Sequence, residues 1–62
     1  MDLKQRFLKV YSSLPLGVRR EIVAVLDPPV GPITWEVAYS EIEYDTPLGK
    51  QILQILGKMN II

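Results

Sequence analysis

The sequence predicts an all-α fold: a compact single domain of four helices around one core. Three observations carry this reading. Apolar residues recur at steps of three and four in four separate segments. Asp2, Thr34 and Thr46 stand where helix N-caps belong. Pro15 and Pro47 fall in first helical turns, where a missing N–H is tolerated. With 62 residues the chain makes one domain, 1–62, near the lower size at which a chain folds alone.

The first helix is expected over 2–13, with Leu3, Phe7, Val10, Tyr11 and Leu14 at helical spacing on one face and Lys4, Gln5, Arg6 and Lys9 elsewhere. Ser12-Ser13-Leu14-Pro15 reads as a break and a restart, and a second helix is expected over 15–26 from the stripe Val18, Ile22, Val25 and Leu26. The β-branched run Ile22-Val23-Ala24-Val25 also suits a strand; the spacing of the stripe favours helix. Three prolines in Asp27-Pro28-Pro29-Val30-Gly31-Pro32 make a stiff connector, longer than a tight hairpin turn. The third helix is expected over 34–43, with Trp35, Ala38, Tyr39 and Ile42 inward. Alternation of Ile33, Trp35, Val37 and Tyr39 offers a strand there as well, but it collapses at Glu41-Ile42, where the helical stripe continues. A last helix over 47–59 buries Leu48, Ile52, Ile55, Leu56 and Met59, and Asn60 is its stop.

Composition narrows function mainly by exclusion. Without cysteine there is no disulfide or thiolate metal site, and without histidine the commonest zinc ligand and neutral-pH base are missing. Glu36, Glu41, Glu43 and Asp45 form the one acidic cluster, without the Asp/Asn-Gly chemistry of a calcium loop. Ser12, Ser13 and Ser40 have no histidine to activate them, and Gly31 and Gly49 sit in no phosphate-cradling pattern. The expectation is therefore a protein that is not an enzyme and takes no cofactor, metal or small-molecule substrate. Seven basic residues balance seven acidic ones, which argues against non-specific nucleic-acid binding. No apolar run approaches a membrane span, and residues 1–6 lack the apolar core of a signal peptide, so the expected location is cytoplasmic.

Residues 33–62 hold a capped short helix, the turn Tyr44-Asp45-Thr46, a longer helix and the apolar pair Ile61-Ile62. This arrangement resembles the helix-turn-helix of winged-helix domains, without a full wing. Val37-Ala38 and Ile42 match its first helix, and Leu48, Ile52, Ile55 and Ile61-Ile62 match buried positions of its second. The resemblance implies a setting in DNA-processing machinery. It also gives one functional alternative, a small DNA-binding transcription or chromatin factor reading DNA through Thr46, Lys50, Gln51, Gln54 and Lys58.

The leading expectation is a binding module, an accessory or adaptor subunit that docks on a larger protein or on a second copy. Of the residues, 48% are hydrophobic, more than a domain this small can hide. On ideal helices Leu8, Val23, Val37, Tyr44 and Leu53 point away from their own stripes; they are the candidate protein-binding residues, the alternative being that they complete a core in which the helices are buried on two sides. Arg19 and Arg20, with Lys4, Arg6 and Lys9, read as a solvated basic face.

Overall fold

The computed structural model describes residues 2–62. Three helices form: α1 (Leu3–Ser12), α2 (Trp35–Glu43) and α3 (Pro47–Lys58). Each begins at the residue whose chemistry marks it. Asp2 accepts from the Gln5 backbone N–H at 2.8 Å, Thr34 from Val37 at 3.2 Å, and Thr46 from Gly49 at 2.9 Å. Each cap thus satisfies one of the donors that a helix start leaves unpaired.

The all-α, four-helix expectation is corrected here. The domain is α+β, because 15–26 is not a helix. Val18–Arg20 makes a single 3-10 turn, the backbone becomes extended at Glu21, and β1 (Ile22–Val25) follows. It pairs antiparallel with β2 (Pro32–Thr34), Ile22 opposite Thr34 and Val25 opposite Pro32. The β-branched run therefore behaves as its propensity suggests. What the local spacing lacked was the partner strand on the far side of the proline-rich loop. That loop closes through Leu26 N–H to the Gly31 carbonyl at 2.8 Å and Val30 N–H to that of Asp27 at 3.1 Å, with Gly31 at φ +69°. The peptide between Pro28 and Pro29 is cis.

Register explains why the helical stripe misled. Between Ile22 and Ala24 two steps on β1 oppose one on β2, a bulge at Val23. Ala24 and Leu26 consequently face the core, whereas Ile22 and Val25, both on the supposed helical stripe, are exposed. The competing strand over 33–39 is realised only at Ile33 and Thr34; from Trp35 the chain is helical.

Phe7, Ala24, Leu26, Ile33, Ala38, Ile42, Ile52 and Leu56 form one core, drawn from every helix and both sides of the hairpin loop. α2 packs chiefly on α3, and α1 lies against both. Among the described residues no helix is long and apolar enough to cross a membrane.

Candidate functional site

The α2–α3 junction is built from two interlocking end motifs. Asp45 takes a left-handed conformation, φ +54°, so that its N–H reaches the Ile42 carbonyl at 3.1 Å and the Thr46 N–H reaches that of Glu41 at 3.1 Å. This is a Schellman closure of α2. Thr46 simultaneously caps α3, and its hydroxyl donates to the Glu41 carboxylate at 2.7 Å. One residue ends one helix and starts the next, which holds the three-residue turn tight. Lys4 of α1 clasps it from outside, its Nζ 3.1 Å from the Asp45 carboxylate. Asn60, at φ +58°, closes α3 in the same way, with Ile61 N–H on the Leu56 carbonyl at 3.0 Å.

Aromatic packing sorts the remaining candidates. Phe7 stacks on both Tyr11 and Trp35 with centroids 5.9 Å apart, and Tyr11 stacks on Tyr39 at 4.5 Å. Arg19 lies 4.6 Å from the Tyr11 centroid and donates to the Tyr11 carbonyl at 3.2 Å, closing the end of α1. Arg19 therefore belongs to the fold, not to a free basic face. Four of the five aromatic residues join this ladder. The fifth, Tyr44, is 78% exposed.

Val37, one heptad before Tyr44 and hence on the same line of α2, is 46% exposed. Glu36, Ser40 and Glu43 are the other exposed residues of α2. The three further protein-binding candidates lie differently. Leu8, Val23 and Leu53 are half-buried and packed against the core. Of the surface drawn from sequence, Val37 on α2 and Tyr44, the residue that caps its C-terminus, are the exposed pair.

On α3, Lys50, Gln51, Gln54 and Lys58 are all exposed along the outward face. Thr46 is not available in the same sense, because its hydroxyl is engaged on both sides of the turn. The acidic cluster is largely committed as well: Glu41 accepts from Thr46, Asp45 pairs with Lys4, and Glu36 lies 3.9 Å from Arg20. Two shallow grooves flank α1, one lined by Arg6, Lys9, Val10, Ile61 and Ile62, the other by Leu3, Gln54, Gly57 and Lys58.

Sequence reasoning missed a second apolar exposure. Leu16, Ile22, Val25 and Val30 are all exposed in and around the hairpin. Reading 15–26 as a helix placed Ile22 and Val25 in the core. The β-branched run itself was the signal for a strand here, but alternation would have put Ile22 on one face with the buried Ala24; only the bulge at Val23 turns both Ile22 and Val25 outward. The chain matches no protein-family model, and neither the curated proteins nor the solved structures searched contain a significant match to it.

Proposed function

We propose that this protein is a non-enzymatic binding module, a small accessory or adaptor subunit that docks on a protein partner through the outward face of α2. The observation that carries this reading is Tyr44, the one aromatic residue outside the stacked ladder, exposed on the same helical line as Val37. Tyrosine is enriched at the energetic centres of interfaces because it supplies large contact area at low entropic cost. Neither residue belongs to the buried core, to which α2 contributes Ala38 and Ile42. Val37→Asp and Tyr44→Ala are expected to leave the melting temperature within a few degrees of wild type while abolishing partner capture. Thermal melts and affinity capture from the native host, run on the same variants, measure both. A Val37→Asp chain that unfolds places the residue in the core and sinks the surface.

A second reading rests on α3. Lys50, Gln51, Gln54 and Lys58 form an exposed face of two cations and two amides with no acidic residue on it, a composition suited to phosphates and base edges. With the helix-turn-helix resemblance, this supports DNA recognition by α3 as the alternative. On that reading Lys50→Glu and Lys58→Glu each weaken binding to genomic fragments. Wild-type affinity falls with salt at a log–log slope of about −2 for two phosphate contacts. Electrophoretic mobility shifts across a salt series decide it; no retardation at low salt leaves only the protein-docking reading.

A further inference from the structure

We propose that the free edge of β1 receives an extended aliphatic segment flanked by basic residues from another protein, adding a third strand to the hairpin. The sheet has two strands, so β1 pairs with β2 on one side and with no other strand among the described residues on the other. Among the described residues no helix packs extensively on β1 either. An open strand edge presents unpaired N–H and C=O groups to any chain that can extend beside it, and proteins ordinarily blunt such edges with lysine, proline or a bulge. β2 carries Pro32; β1, Ile-Val-Ala-Val, carries no charge and no proline, and its guards are its short length and the bulge at Val23. Beyond the bulge, Ala24 and Val25 run in regular register. Ile22 and Val25 are 59% and 72% exposed on this strand, aliphatic side chains ready to pair across a new ladder.

Charge selects the occupant. Glu21 immediately precedes β1 and Asp27 lies just beyond it; both are exposed and neither forms an ion pair among the described residues. Six residue steps separate them, at most about 20 Å in extended chain and less across the bulge. An incoming strand with lysine or arginine at each end sets a cation beside each carboxylate. A second copy of β1, paired antiparallel, instead brings its own Glu21 and Asp27 to the same two ends. Only Arg20 offsets them, so each end stays acidic, which disfavours the self-pair. The surface is separate from Val37 and Tyr44 and does not depend on the docking face of α2.

The test uses short synthetic peptides with an alternating valine–isoleucine centre. One carries lysines at both ends, one glutamates, and one is the lysine peptide with a central proline that cannot join a ladder. Titrated into the isotopically labelled protein, the lysine peptide is expected to shift the amide signals of Ile22–Val25 and slow their exchange with solvent. Its affinity should exceed the glutamate peptide's by at least about ten-fold, as attraction at both ends gives way to repulsion, and the proline peptide should not bind. Val25→Lys, at an exposed position that leaves the core intact, should abolish binding, and Glu21→Lys combined with Asp27→Lys should reverse the peptide preference. No shift at β1 with millimolar lysine peptide, or equal affinity for the two flanks, overturns the proposal. So does a concentration-dependent dimer that Val25→Lys dissolves, since the occupant is then a second copy. Val37→Asp should leave peptide binding unchanged, so loss of the α2 surface and loss of this one are read separately.

Discussion

Phe7→Ala is expected to remove about 3–5 kcal/mol of stability, the usual cost of truncating a fully buried aromatic residue. Phe7 is completely buried and stacks on both Tyr11 and Trp35, so its ring ties α1 to the start of α2. A 62-residue domain has only about 3–9 kcal/mol in total at typical stabilities per residue. The variant therefore keeps at most about 6 kcal/mol and unfolds outright if the wild type lies at the lower end of that range. Urea denaturation followed by circular dichroism measures the loss, with Phe7→Leu as a milder truncation that keeps much of the volume. A Phe7→Ala chain within about 1 kcal/mol of wild type would contradict the placement of this ring at the centre of the core. Trp35, half-buried at the edge of the same ladder, should cost less when truncated than Phe7 does.

Gly49→Ala sets two physical effects against each other and so tests how α2 meets α3. Helix propensity alone says that alanine in place of glycine inside α3 adds about 1 kcal/mol of stability. Packing says the opposite. A Cβ at Gly49 overlaps the Glu41 carbonyl oxygen and lies 2.6 Å from its carbon and 2.9 Å from Ile42 N. Those are backbone atoms that cannot rotate away. The helices would have to separate, breaking the contact of Thr46 with Glu41 and opening the core at Ile42 and Ile52. Packing wins, and the expected loss is about 3 kcal/mol, the upper end of ordinary overpacking. Gly57→Ala is the control on the same helix: its Cβ meets the end of the Leu3 side chain at 3.2 Å, which can shift. That variant should be neutral or slightly stabilised. Equal melting curves for the two alanine variants would mean that the α2–α3 approach is looser than the geometry requires.

Much of this molecule was legible locally. Cap chemistry at Asp2, Thr34 and Thr46 marks helix starts because a side-chain oxygen two or three residues from a free N–H needs no tertiary help. Asn60 marks the end of α3 for a related reason, since a short polar side chain tolerates the left-handed conformation of that stop. The inward stripe of α2 and the outward positions of Val37 and Tyr44 follow from helical periodicity, once the helix is anchored at Thr34. Leu8 and Leu53 show where periodicity stops. Both lie off their own stripes yet pack on the core, because α1 and α3 each meet neighbours on more than one side.

The segment 15–26 marks the boundary between the two kinds of information. Sequence by itself determined the three capped helices, the stop at Asn60, the exposed pair on α2 and the lack of cysteine and histidine. Tertiary structure alone decided that Ile22–Val25 is a strand, that a bulge at Val23 turns Ala24 and Leu26 inward and Ile22 and Val25 outward, and that Gly49 seats α3 on the backbone of α2. The physical reason is the range of the interactions. A helix closes its hydrogen bonds within four residues and so announces itself in its own sequence, whereas a strand completes its bonds only on a distant segment, here Pro32–Thr34.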